Sequence, residues 1–482
     1  MSASPKPLLL ASLALVGGGI APLALAPLNW WPLALLSVGL FFWCLEQVKT
    51  SRQSLVIGFA YGAGYFTTGV SWVYVSMVDH GSTAIPLALL LTAIFCLGLG
   101  LFYSLFAWLY QRFLSNLNNW LTIIAFAALW VLLDILRGWL LTGFPWLYLG
   151  YGGLSTWLAG YAPIIGQHGI TWLLVVSAIT VFIAWRRPIY LVAPAVIWLS
   201  GLGLQQIDWT QPAGERKVAL LQGNIDLQSK WLPEQLGPTL EYYFGQTYAH
   251  LDSDVIIWPE TAIATYWDNV LQATQALSEI AAQQNTLIIS GTVLRDQNDI
   301  TSDYYNGLVA FGQEQGAYAK QQLVPFGEYV PLQNWLRGLI QFFDLPMSGF
   351  RPAPVEQGLL TQQSTAIAGN ICYEIAYSSL VAKQAANAQL IVTVSNDTWF
   401  GNTWAPWQHL QMAQMRALEN GRPVARGTNS GVSALIDHQG NIVAQAPQFE
   451  IAELEGQLQL RQGRTPFNYL ATIGQPRPNQ AE

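Results

Sequence analysis

The sequence predicts two architectures in one chain: an N-terminal polytopic α-helical membrane bundle, followed by a C-terminal α/β domain of layered sheets and helices. Three observations predict this. Hydrophobic residues make up 52% of the 482 and charged residues only 10%, against roughly 25% charged in ordinary soluble proteins. The deficit is local: up to Gln205 there are only about ten Asp, Glu, Lys or Arg, as in a polytopic membrane domain. From Gln206 onward short β-branched runs alternate with helical stretches. With a mean hydropathy of +0.31, disorder and disulfide scaffolds are excluded. A net charge of −7 without a basic block speaks against nucleic acid as a partner.

Seven apolar runs meet or approach the roughly 20 residues a span needs: 8–27, 30–46, 55–75, 84–110, 119–136, 166–185 and 189–204. The second and last are short. Ala24-Leu25-Ala26 resembles a signal-cleavage site, but Pro27 follows and the apolar run is long, so the first run reads as a retained span. With a cytoplasmic N-terminus, Lys6, Lys49, Arg52, Arg112, Arg186 and Arg187 all fall inside and only Arg137 outside. An odd number of spans then puts the C-terminal domain outside the cytoplasm. Arg137 needs an anionic partner, either Asp134 or a phospholipid phosphate. Gly17-Gly18-Gly19 lies inside a span, where it permits close helix packing rather than phosphate binding. The organisation expected is 1–205 transmembrane, 206–215 linker, 216–463 α/β domain and 464–482 polar tail.

In the α/β domain, strands are expected at 217–223, 254–258, 286–292, 366–371 and 390–394, with helices at 234–251, 270–284 and 378–387. Reactive residues follow several strands, where an α/β sheet presents its site. Glu260 follows Ile257-Trp258-Pro259, and a partly desolvated carboxylate there suits general-base work. Cys372 closes another strand, at a turn whose backbone N–H groups would favour a thiolate. Cys44 and Cys96 lie in apolar runs, which leaves Cys372 as the one cysteine of the outer domain. Lys320 follows Tyr318-Ala319 and precedes a Pro-Gly turn, placed to hold an ammonium over a developing oxyanion. His409, on a helix expected at 407–418, would supply a rival Cys-His dyad. No clustered His or Cys spacing suggests a metal site, and no cofactor is expected.

Glu260 in Ile257-Trp258-Pro259-Glu260, Lys320 ahead of Leu323-Val324-Pro325-Phe326-Gly327-Glu328, and Cys372-Tyr373-Glu374 resemble the Glu-Lys-Cys triad of the nitrilase superfamily. With the spans, the Ser71–Tyr74 and Thr142–Trp146 loops, Gln222–Ile225, Lys230-Trp231 and Ser395–Gly401, the chain resembles that superfamily's membrane-embedded branch, the apolipoprotein N-acyltransferases of the bacterial inner membrane. The resemblance implies a nitrilase-like αββα sandwich for 216–463. It also implies transfer of an acyl chain from a membrane phospholipid to the N-terminal amine of a diacylated apolipoprotein, by a ping-pong thioester route on Cys372. Glu260 would be the base and Lys320 the oxyanion partner. Glu328 would orient the triad, while Trp231, Tyr373 and Glu374 would shape the pocket. A monomer is expected, with the catalytic domain on the periplasmic side. A membrane-tethered amidase acting on a soluble substrate would share the same triad. Phe342–Pro352 reads as a lid or a long surface loop, and Trp399, Phe400, Trp404 and Trp407 as an acyl path or loop packing. Members commonly end in a further span; Arg464–Glu482 holds no apolar run of that length.

Overall fold

The computed structural model describes residues 6–295, 304–329, 349–354 and 357–473. It resolves into two compact units. The first comprises residues 1–207 together with 399–411, and the second 208–398 with 412–482.

The first unit is helical. Its apolar helices are α1 (Pro7–Ile20), α2 (Pro32–Glu46), α3 (Ser51–Val70), α4 (Ile85–Leu109), α5 (Asn119–Arg137), α6 (Ala162–Ala184) and α7 (Val192–Leu204). Helices satisfy every backbone group internally, which is what an apolar surrounding demands. Proline opens α1, α2, α4 and α6, where its missing N–H costs nothing. The side chains of Thr50 and Asn118 cap α3 and α5 by accepting from Gln53 N and Leu121 N. Among the described residues four helical stretches, 7–24, 85–114, 119–137 and 157–184, are long and apolar enough to cross a membrane; 32–46 and 188–204 are shorter. At 20 residues α3 is long enough, but it mixes Ser, Gln, Thr and Gly into its apolar sequence.

That polarity accompanies close packing. A Cβ placed on Gly18 of α1 would stand 1.9 Å from the Tyr61 carbonyl of α3, and one on Gly64 would stand 2.1 Å from Leu15 O. The glycine run thus brings two backbones together. Arg137 is 3% exposed and donates to Asp134 Oδ1 at 2.9 Å and to Phe144 O at 2.8 Å. Its guanidinium also lies 4.7 Å from the centre of the Tyr148 ring. Of the two partners expected for it, the structure supplies Asp134; the cation is used within the unit and is not presented to a lipid phosphate.

The second unit stacks two six-stranded sheets. One is ordered β12-β1-β2-β3-β4-β5 and the other β11-β10-β9-β8-β7-β6. The first sheet holds β1 (Gln211–Gln222), β2 (Val255–Ile257), β3 (Leu287–Arg295), β4 (Tyr304–Gly312), β5 (Gly316–Ala319) and β12 (Ala452–Gln462). The second holds β6 (Leu360–Gln362), β7 (Thr365–Ile371), β8 (Leu390–Ser395), β9 (Val424–Thr428), β10 (Ala434–Ile436) and β11 (Ile442–Gln445). Val218, Ile257, Ile289 and Leu308 of one sheet meet Ile367, Val392, Ala425 and Leu435 of the other in a shared core. On the outer face of the first sheet, Ala219, Ile256 and Ile288 pack against Leu240 and Tyr243 of α8 (Pro233–Ala249) and Leu277 of α9 (Leu271–Gln283). Helix α10 (Ser378–Ala385) follows β7 on the other sheet. This is the αββα sandwich expected. Strand β1 begins at Gln211, inside the stretch read as a linker, and β4, β6 and β9–β12 were not read from the sequence.

Substituting Gly18 by Val should cost about 1–3 kcal/mol through forced separation of α1 and α3. The apparent Tm in detergent, followed by Trp fluorescence, should fall accordingly. Gly98→Ala, where the added Cβ meets nothing within 4 Å, should leave it unchanged.

Candidate active site

Strands β1, β2 and β3 run parallel, so their carboxyl ends share one edge. Glu260 leaves that edge three residues after β2. Lys320 stands immediately after β5, and Cys372 immediately after β7, which runs parallel to β8. The two sheets face each other, and these ends converge on one buried cluster.

Lys320 is fully buried. Its Nζ donates to Glu328 Oε1 at 2.8 Å and lies 3.6 Å from Glu260 Oε1. Burial alone would push this ammonium down, but Glu328 and then Glu260 outweigh it and hold lysine above its ordinary range. Glu328 also accepts from Val324 N at 2.8 Å through Oε2, so the Pro-Gly turn is closed onto its own carboxylate. Glu260 Oε2 accepts from Asn396 N at 2.8 Å, just past β8.

The sequence reading missed Asn306. Its Nδ2 donates to Glu260 Oε1 at 2.8 Å and to Glu328 Oε1 at 2.9 Å. Both neighbours can only accept, which fixes the orientation of the amide. One NH2 group therefore holds two like charges side by side. The signal was hidden because Asn306-Gly307 has the composition of a tight turn, whereas both residues lie within β4.

Cys372 is half-buried and has φ +51°, a left-handed backbone for a residue with a side chain. Burial pushes its thiol well above the ordinary range. Glu260 adds to the rise and Lys320 opposes it. Two residues on, Glu374 is fully buried and accepts four hydrogen bonds: from Tyr318 Oη at 2.8 Å, Gln321 N at 2.7 Å and Gln322 N at 3.2 Å through Oε1, and from Ile371 N at 2.8 Å through Oε2. Burial pushes this carboxyl up to about 7 against the backbone donors. It braces the turn carrying Cys372 against the turn carrying Lys320.

Tyr373 packs edge-on against Tyr377. Trp231 joins an apolar cluster with Val293, Leu323 and Phe350. His409, in α11 (Ala405–Asn420), packs in the first unit against Trp146 and Phe400. Phe400 also meets Trp72, and Trp399 meets His80. Most of Phe342–Pro352 lies outside the described residues. Among the described residues no cluster of three or more His, Cys, Asp or Glu could hold a metal ion.

These charges set an expected behaviour for the thiol. Iodoacetamide labelling of Cys372, read by peptide mass, should climb about tenfold per unit between pH 8 and 9, because the thiolate is still a minor species. Glu260→Gln removes a charge that raises the thiol and should speed labelling at pH 8 several-fold. A rate already level from pH 7.5 would mean a preformed thiolate and contradict the assignment.

Two family models match the chain: Apolipoprotein N-acyltransferase N-terminal domain over residues 17–180, and Carbon-nitrogen hydrolase over 217–464. Proteins named apolipoprotein N-acyltransferase align along nearly the whole length. The one from Pseudomonas aeruginosa (strain LESB58) is 44% identical over 94% of this chain and 91% of its own, and that from Azotobacter vinelandii 45% over 94% and 90%. The Vibrio parahaemolyticus protein is 38% identical over 94% and 92%. Among solved structures, a carbon-nitrogen hydrolase from Helicobacter pylori G27 matches 54% of this chain and 92% of its own at 13% identity, with a TM-score of 0.39. The chain belongs to the apolipoprotein N-acyltransferase family, with a carbon-nitrogen hydrolase domain as its C-terminal part.

Proposed function

We propose that the protein transfers an acyl chain from a membrane phospholipid to the α-amino group of the N-terminal diacylglyceryl-cysteine of an apolipoprotein, through a thioester on Cys372. The observation that carries this reading is the buried cluster in which a carboxylate, an ammonium and a thiol act on one another, in a chain that also has apolar helices. Glu260 takes the Sγ proton as sulfur attacks the ester carbonyl. The tetrahedral oxyanion collapses, the C–O bond breaks, and Glu260 returns the proton to the departing lysophospholipid hydroxyl. In the second half the amine attacks the thioester, its proton passes to Glu260, the C–S bond breaks, and Glu260 returns that proton to the departing sulfur, restoring the thiol. Ester and amine become amide and alcohol, with no water consumed.

Lys320 uses one N–H on Glu328, leaving donor capacity for the oxyanion. Glu328 fixes that ammonium, Glu374 braces the nucleophile, and Trp231 and Tyr373 form the wall. The Lys and Arg bias of the loops supports insertion in the bacterial inner membrane, with the N-terminus cytoplasmic and the catalytic domain periplasmic.

Purified protein incubated with phospholipid and no acceptor should gain the mass of one acyl group. The adduct should be lost with hydroxylamine and absent in Cys372→Ala, and a diacylated lipopeptide should discharge it. Glu260→Gln and Lys320→Ala should each lower turnover by roughly 10³-fold or more. Hydrolysis of a soluble amide with no lipid-derived adduct would favour the tethered amidase and overturn this reading.

A further inference from the structure

We propose that Lys230 is a positioning residue for Glu260, acting through the backbone turn that carries it. Lys230 lies in the loop between β1 and α8 and is 5% exposed. Its Nζ donates to Thr261 Oγ1 at 2.7 Å and to the Glu260 carbonyl oxygen at 3.4 Å. Both acceptors are neutral, and among the described residues no carboxylate lies within ion-pair reach of it. Burial pushes this ammonium down to about 8, with Glu260 opposing. For stability alone an apolar side chain of the same length would serve better, since a buried cation without a counter-ion is costly. What the cation holds is a strained turn.

Thr261 has φ +46°, an unfavourable backbone for a β-branched residue. On the other side, β3 presses against the same turn. A Cβ on Gly291 would stand 2.4 Å from Thr261 N, 2.5 Å from Pro259 O and 2.7 Å from Glu260 Cα. Gly291 N also donates to Pro259 O at 3.2 Å. The Pro259–Thr261 turn is therefore gripped between the backbone of β3 and the Lys230 ammonium. The Glu260 carboxylate reaches from this turn to Asn306, Asn396 N and Lys320. Releasing the Lys230 side lets the turn relax and misaligns the carboxylate, while every group of the Glu-Lys-Cys cluster stays present.

This rests on the reading of Glu260 as the base, and the test separates the two. Lys230→Met and Thr261→Val, singly and together, are mixed with dipalmitoylphosphatidylethanolamine in dodecyl maltoside micelles, and thioester formation on Cys372 is followed by quenched intact mass. Each single variant should lose about 10- to 100-fold in the rate at saturating donor, with the half-saturating donor concentration unchanged within about twofold. The double variant should be no slower than the slower single, because both break one contact. Thr261→Val keeps the lysine, so it carries the test if Lys230→Met lowers the Tm or fails to fold. Wild-type rates in the singles with an inactive Glu260→Gln overturn the role of Lys230 and leave that of Glu260 standing. So does an additive double variant. Wild-type rates in Glu260→Gln overturn the base assignment itself.

Discussion

Removing a lysine ammonium from water costs several kcal/mol, roughly, even after local relaxation, and Lys320 has no exposed surface at all. Glu328 at 2.8 Å and Glu260 at 3.6 Å offset that cost. Two carboxylates so close would repel, and the Asn306 amide between them supplies one N–H to each. The arrangement draws on β2, β4, β5 and the loop after β5, so the order and register of the first sheet are what place its charges. Removing Lys320 would leave two carboxylates in the interior without their counter-ion, a loss of about 3–5 kcal/mol in comparable pairs. The cation therefore links the stability of the domain to the chemistry proposed for it.

The residues legible in the sequence were those standing just past a strand end. Glu260 follows the β-branched run Val255–Ile257, whereas the strands before Lys320 and Cys372, Gly316–Ala319 and Thr365–Ile371, mix in Gly and Ala; these two were legible as a lysine ahead of a Pro-Gly turn and as the one cysteine outside the apolar N-terminal runs. What escaped was polar chemistry inside strands. Asn306-Gly307 has the composition of a turn and sits in a sheet. Arg426, in the middle of β9, is fully buried and donates to Asp397 at 2.6 Å, and that charge interrupts the apolar pattern by which strands are recognised. In β12 burial does alternate along Ala-Glu-Leu-Glu, but Glu and Gln have low strand propensity. Pairing with β1 over ten residues overrides it. Lys230 was visible as a residue but not as a contact, since its acceptors lie thirty positions further on.

Within the first unit, the expectation drawn from glycine spacing concerned geometry and the structure has it: backbone meets backbone at Gly18 and Gly64. Composition could say that Arg137 needed an anion, and not which one. The choice of Asp134 follows from the helix, because residues three apart share a face, and Nη1 of the same guanidinium donates to the Phe144 and Trp146 carbonyls as the chain turns back. The same loop places Trp146, whose indole N–H donates to Gln408 at 2.7 Å.

That last bond spans 262 residues, and it is not alone. Gln411 accepts from Ala26 N and donates to Asn29, while Gln408 donates to Gly69 O. Chains are made from the N-terminus, so Ala26 and Gly69 are synthesised long before their partners at 408 and 411. The bundle consequently waits, without these partners, while strands β1 to β8 of the two-sheet domain are translated. Assembly of the early helices is completed by a late segment of the chain.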